Sequence, residues 1–314
     1  MALYAFDGTG NKDRKDDAKD TNVRKFFEAY KEAYKPKVRM AKKGKKRAAS
    51  KCIYIRGVGT SKLPLRKVAG LLFGAGGKRR IRSAIKALKE NVKLGDTTID
   101  VVGFSRGAAE SIAFVNEVRD TKIGGKKGLP VRFLGIWDTV ASFGIPGNDV
   151  NIGFNLEIPD NVRMCCHAIS LDERRWTFPL TRVMDNAHVS RKTRNIREVW
   201  FRGYHSDVGG GNKNEGLSSI ALTWMFQRAK NGGGLNIPAA HIEKHREMRN
   251  PGADPKTPKM DRKANKRRPI QLTDVVHETV KKRKRSGRFA ANNPPRGVYV
   301  TGDDGKIRRK RFGM

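Results

Sequence analysis

Cysteine and acidic residues are both scarce in this 314-residue sequence. Three cysteines, Cys52, Cys165 and Cys166, supply no disulfide framework, and the adjacent Cys165 and Cys166 are poorly placed to bridge each other. That count fits a reducing compartment at the site of synthesis. Long apolar runs are missing too. The longest, Val68 to Gly77, is too short and too rich in glycine to span a bilayer. Met1 to Phe6 has no basic stretch and runs straight into Asp7, which argues against a signal peptide. The expectation is cytoplasmic synthesis of a soluble chain, with non-Sec secretion or peripheral membrane association left open.

The shortage of acid leaves 31 Asp+Glu against 67 Lys+Arg, a formal net charge of +36. This excludes an acidic disordered chain. Hydrophobic residues at 37% still suffice for a full core at this length. The excess is uneven: residues 30–51 carry 10 Lys+Arg and one acid, and residues 256–314 carry 19 and 5. Such stretches favour polyanions, either nucleic acid or an anionic membrane surface, or else form a solvated face.

Short apolar runs alternate with helical patterns. Leu3 to Phe6, Cys52 to Ile55, Thr98 to Val102, Val131 to Trp137 and Glu198 to Arg202 read as strands. A helix capped by Thr21 or Asn22 is predicted to about Tyr34. Further helices are predicted through Ile81–Val92, Gly107–Arg119, Val162–Leu171 and Leu217–Arg228, with a short one over Asp274–Lys284. The Lys-rich stretch ending near Lys51 reads as a mobile surface loop. This alternation predicts an α/β fold with a mostly parallel sheet flanked by helices.

The sharpest chemical signal is Gly103-Phe104-Ser105-Arg106-Gly107, set between an apolar strand and a helix of small residues. This is the setting of a G-x-S-x-G nucleophile elbow, whose tight turn needs small flanking residues and pushes the serine clear of the sheet. The helix N-terminus brings backbone N–H groups towards developing negative charge. A nucleophilic serine needs a base and an orienting carboxylate. Asp138 follows the next strand, and His205 follows a later one in Gly203-Tyr204-His205-Ser206-Asp207-Val208-Gly209-Gly210-Gly211. Ser105, Asp138, His205 is the Ser…Asp…His order of α/β-hydrolases.

These stretches, together with Phe6-Asp7-Gly8-Thr9-Gly10-Asn11, Gly135-Ile136-Trp137-Asp138-Thr139-Val140, Leu171-Asp172-Glu173-Arg174-Arg175 and Val276-His277-Glu278-Thr279-Val280, resemble the type VI secretion phospholipase-effector catalytic domain. That family belongs to the α/β-hydrolases, so the resemblance implies an α/β-hydrolase-like sheet and a Ser-His-Asp lipase or esterase, with phospholipase A activity in characterised relatives. It implies Ser105 as nucleophile, His205 as base and Asp138 as orienting acid; an immunity-type inhibitor protein is left open as a partner. The chain departs from the effector pattern in being short, in lacking a sizeable membrane-insertion module, and in its basicity.

Other assignments compete. Ala5-Phe6-Asp7-Gly8-Thr9 resembles the D-x-D-G-T motif of aspartate-nucleophile phosphatases, but Ala5 stands where the attacking carboxylate belongs. Gly8 and Thr9 instead suit an oxyanion loop, joined by the backbone N–H of Arg106, with Asp7 bracing the turn or forming a simple Asx turn. His277 is a second candidate base, more readily a structural or lid-packing residue. Asp207 could partner His205, anchor its loop or bind a cation. His167 beside Cys165 and Cys166 lacks a second ligand cluster and reads as a core histidine.

The expected function is a serine carboxylic-ester hydrolase, most simply a phospholipase A-type lipase, needing neither metal nor cofactor. Its substrate would be a phospholipid or other ester. The alternative is a hydrolase-fold protein whose main role is non-specific binding of nucleic acid or another polyanion. One catalytic domain is expected over 1–300, with basic segments at 36–51 and 250–269 and a basic tail at 301–314.

Overall fold

The first strand shows how the chain builds its layers. In β1 (Ala2–Phe6), Leu3 and Ala5 point into one apolar cluster while Ala2, Tyr4 and Phe6 point into another. A strand buried on both faces needs apolar residues at every position, and this one has them. The computed structural model describes residues 1–8, 17–39, 48–57, 69–141, 155–184, 195–260, 266–282 and 291–309.

After β1 come α1 (Asn22–Glu32), the two-residue strands β2 (Val38–Arg39) and β3 (Ala48–Ala49), β4 (Ile53–Ile55) and α2 (Ala69–Lys93). Next are β5 (Ile99–Phe104), α3 (Arg106–Asp120), β6 (Val131–Trp137), β7 (Cys165–Ser170) and β8 (Ile196–Phe201). The chain continues through α4 (His205–Gly209), α5 (Glu215–Asn231), α6 (Ala239–Glu247), β9 (Val275–His277), β10 (Tyr299–Thr301) and β11 (Ile307–Arg309). Nine strands form one sheet in the order β11-β10-β9-β8-β7-β6-β5-β1-β4, parallel throughout except for β10 with β11. The chain therefore has the expected α/β fold, with helices packed on the sheet.

The two faces carry separate cores. Phe26 of α1 and Phe226 of α5 stack 5.3 Å apart beneath Val102, Phe133 and Trp137. On the other face Ile85 and Leu88 of α2 and Ile112 and Phe114 of α3 cover Tyr4, Phe6 and Val101. Thr21 caps α1 as expected, accepting the Arg24 N–H at 3.2 Å. Among the described residues no helix is long and apolar enough to cross a membrane.

Two expected helices are strands in whole or in part. Val162–Leu171 contains β7, whose six residues are all buried between β6 and β8. A short apolar run has no readable period, and its burial on both sheet faces decides for strand. Over the described residues 274–282 the chain forms β9, whose Val275 and Val276 pair with Tyr299 and Val300, and then a 3-10 helix at Glu278–Lys282. Of the Lys-rich stretch, residues 40–47 lie outside the described residues; their flanks pair antiparallel as β2 and β3.

Candidate active site

Parallel register brings the ends of β1, β5, β6 and β8 to one carboxyl edge, where open α/β sheets place ligands. Phe6 pairs with Gly103, Phe104 with Trp137, and Ser170 of β7 with Phe201. Asp7, Ser105 and Asp138 each follow directly on the strand end, and His205 opens α4 just after β8.

Ser105 sits between β5 and α3 with φ 59° and ψ −125°, a conformation that costs a non-glycine residue of order 1–3 kcal/mol. The turn is over-determined by its surroundings. The Ser105 N–H donates to the Trp137 carbonyl at 3.0 Å. A Cβ at Gly103 would meet Ser111 Oγ at 2.3 Å and the Gly107 carbonyl at 2.6 Å. Glycine is therefore required where the pattern has it.

Asp138 is fully buried, also at positive φ (39°). Its Oδ2 lies 2.6 Å from His205 Nδ1. Its Oδ1 accepts the Ser170 N–H at 2.8 Å and Arg268 Nη1 at 2.6 Å, while Arg268 Nη2 reaches Oδ2 at 3.2 Å. Burial works to raise this carboxyl, but the Arg268 guanidinium and the His205 imidazole outweigh it and hold Asp138 well below the usual carboxylate range.

The His205 imidazole is buried between Phe104, 4.6 Å away between ring centroids, and Phe178 at 4.8 Å. Its backbone N–H donates to Glu173 Oε2 at 3.2 Å. Arg175 grips Glu173 through two bonds of 2.7 and 2.9 Å and covers the Phe178 ring at 3.7 Å. Burial raises the Glu173 carboxyl, yet Arg175 brings it below its ordinary value. With Nδ1 turned to Asp138, Nε2 is the nitrogen left for a substrate-side hydroxyl. Among the described hydrogen bonds, none joins Ser105 Oγ to that ring.

The loop after β1 is braced from below. Asp7 accepts the Gly8 N–H at 2.7 Å, the Thr21 hydroxyl at 2.8 Å and the Tyr54 hydroxyl. Arg80 donates to the Asp7 carbonyl at 3.0 Å and to buried Glu110 at 2.8 Å. The Gly8 N–H is thus already committed to Asp7. Thr9 lies outside the described residues. Arg106 opens α3 directly after Ser105, at the helix N-terminus that faces the serine turn.

Two expected candidates are drawn into other contacts. Asp207 accepts the Tyr204 N–H at 2.9 Å and the side-chain amides of Asn212 and Asn214, both at 2.8 Å, so it anchors the loop carrying His205. His277 stacks on Phe201 at 4.9 Å and meets Thr279 Oγ1 at 2.8 Å. Its described contacts reach neither Ser105 nor Asp138. His167 is a core histidine, held by Glu198 at 3.0 Å and by Thr139. No cluster of three metal-ligating side chains occurs among the described residues.

Sequence reasoning missed Arg268, Phe178 and the role of Glu173. Glu173 lies inside a motif already singled out. Arg268 belongs to the basic Pro-containing segment 250–269, where nothing local marks one buried arginine among many basic residues.

The class defined by these features is an α/β protein with a mostly parallel sheet and a Ser-, Asp- and His-bearing carboxyl edge. The chain belongs to the T6SS phospholipase effector Tle1-like catalytic domain family, whose model matches residues 3–118 and 112–228. A crystal structure of an uncharacterized protein from Pseudomonas aeruginosa is similar in fold, with a TM-score of 0.50, 21% identity, and coverage of 78% of this chain and 48% of that one. A structure of the Tle1 effector bound to the VgrG spike of the Type 6 secretion system matches with a TM-score of 0.43 and 25% identity, covering 67% of this chain and 50% of that one. The chain spans about half the length of either structure. No curated protein matches it.

Proposed function

We propose that the chain is a serine carboxylic-ester hydrolase of phospholipase type, with Ser105 as nucleophile, His205 as general base and Asp138 as its orienting acid. The observation that carries this reading is the 2.6 Å contact of His205 with buried Asp138, on the sheet edge where Ser105 occupies its strained turn. Membership of a phospholipase effector family supports the substrate class.

In this mechanism His205 Nε2 takes the Ser105 proton as Oγ attacks the ester carbonyl carbon. Asp138 fixes the imidazole tautomer and stabilises its charged form. The tetrahedral oxyanion is bound by the Arg106 backbone N–H and by the loop after β1. One such donor contributes about 3 kcal/mol. Collapse returns the proton to the leaving alcohol and leaves an acyl-serine. Water, deprotonated by His205, then releases the fatty acid. The defining experiment is release of fatty acid from phosphatidylglycerol vesicles by the wild-type chain, abolished in Ser105→Ala.

Binding of a polyanion is a second reading with one feature in its favour. A groove of 420 Å³ at the opposite, amino-terminal edge of the sheet is lined by Arg132, Arg163, Arg197 and Arg228. DNA retention that falls steeply with salt and is lost in Arg163→Ala/Arg197→Ala would favour it. Retention unaffected by those changes would remove the groove from consideration.

A further inference from the structure

We propose that Arg268 is a positioning residue of the same site, one that holds the Asp138–His205 pair in register and sets the pH range in which His205 serves as base. The inference rests on the ester-hydrolase reading above. Its observational basis is a single buried guanidinium with four acceptors. Nη1 donates to Asp138 Oδ1 at 2.6 Å and to the Ser170 carbonyl at 2.9 Å. Nη2 donates to Asp138 Oδ2 at 3.2 Å and to the Phe178 carbonyl at 3.1 Å. The fork therefore fixes the plane of the carboxylate that holds one side of His205. It also fixes the residue whose ring packs on the imidazole. A planar guanidinium can serve both ends at once; a lysine ammonium cannot.

Charge gives the second half of the argument. A lone buried carboxylate beside an imidazole favours the protonated ring, which cannot accept the serine proton. The charged groups around His205 are otherwise paired. Glu173, under its backbone N–H, is held by Arg175. Asp172, which anchors Gly203, is held by Arg202. Asp207 on α4 is turned to Tyr204, Asn212, Asn214 and the Lys256 N–H. Arg174 reaches the Tyr204 hydroxyl at 3.5 Å, and Arg106, next to Ser105, faces Glu110, whose carboxyl burial pushes up to about 7 and which titrates alike in wild type and the Arg268 variants. Arg268 is the partner that offsets Asp138. Removing it leaves the carboxylate's full field on the imidazole, so His205 would hold its proton to higher pH.

The test measures kcat and KM for hydrolysis of p-nitrophenyl butyrate between about pH 5 and 9, where histidine bases titrate. Fluorophosphonate labelling of Ser105 and circular dichroism are recorded on the same samples. Arg268→Gln is expected to lower plateau kcat about 10- to 100-fold with little change in KM, through lost alignment. It should also move the acid limb of kcat/KM up by about one pH unit. Arg268→Lys keeps the charge and loses the fork, so the limb should return towards wild type while the plateau stays low. A folded Arg268→Gln with an unmoved acid limb overturns the proposal, whatever its kcat. If Arg268→Gln does not fold, Arg268→Lys decides, and a wild-type plateau in that variant overturns the positioning role. Failure of the wild-type chain to label at Ser105 is a separate outcome: it overturns the ester-hydrolase reading and this inference with it.

Discussion

Gly107 lies so close to Phe6 that a Cβ on it would stand 2.3 Å from the Phe6 carbonyl oxygen and 2.7 Å from that of Asp7. The first turn of α3 is thereby pressed against the end of β1, joining the serine turn to the Asp7 loop. Gly107→Ala must move one of them. The expected cost is about 1–3 kcal/mol in denaturant unfolding, the range of an overpacked core position. Slower fluorophosphonate labelling of Ser105 should accompany it. A variant as stable and as reactive as wild type would show that the close approach is unimportant.

Asp7 gathers three donors beneath the proposed oxyanion loop, so its loss should affect turnover more than binding. Asp7→Ala leaves the Gly8 N–H and the Thr21 and Tyr54 hydroxyls without their acceptor. The expected result is a fall in kcat of about tenfold or more towards p-nitrophenyl butyrate, with KM nearly unchanged. Tyr54→Phe removes one bond, a net loss of about 1 kcal/mol, and should keep most of the activity. Equal losses in the two variants would contradict this ranking.

Much of this architecture can be read from local pattern. β1 is an apolar run, β5 and β6 are apolar apart from Asp100 and Arg132, the three stop at Asp7, Ser105 and Asp138, and the Gly-Phe-Ser-Arg-Gly turn announces its own geometry. What local pattern misses depends on contacts made far along the chain. Cys165 to Ser170 is strand because β6 and β8 enclose it, and no residue within it says so. Arg268 is 130 positions from Asp138, in a stretch where lysine and arginine are the rule. Glu173 acts through the backbone of His205, a contact with no sequence signature.

Glu110 is expected to make stability fall as pH rises towards neutrality. Burial pushes its carboxyl up from 4.5 to about 7, and the nearby Arg80 and Arg106 only partly offset this. A carboxyl with a raised folded-state pKa binds its proton more tightly when folded. Its contribution is thus complete below about 4.5 and is lost as pH rises through about 7. Glu110→Gln lacks that dependence, so thermal unfolding at about pH 5 and 8 should show the variant gaining on wild type at the higher pH, by up to about 1.4 kcal/mol per pH unit. A constant difference would contradict the assignment.

His277 and Asp207 should differ in how they bear on the proposed chemistry. His277→Ala loses the Phe201 stacking and the Thr279 contact, so lower stability is expected with fluorophosphonate labelling retained. Asp207→Ala unties the Tyr204 N–H and two asparagines, and should reduce both stability and labelling by loosening the His205 loop. An inactive but fully stable His277→Ala would make that histidine the base.

The most direct measurement is mass-spectrometric mapping of fluorophosphonate adducts on the wild-type, Ser105→Ala and His205→Ala chains. One adduct per wild-type chain is expected, on Ser105. None is expected in Ser105→Ala, and labelling should be slowed by about 10³-fold or more in a folded His205→Ala. An adduct on another residue, an unlabelled wild-type chain, or undiminished labelling in His205→Ala would contradict the assignment of Ser105, His205 and Asp138 to ester hydrolysis.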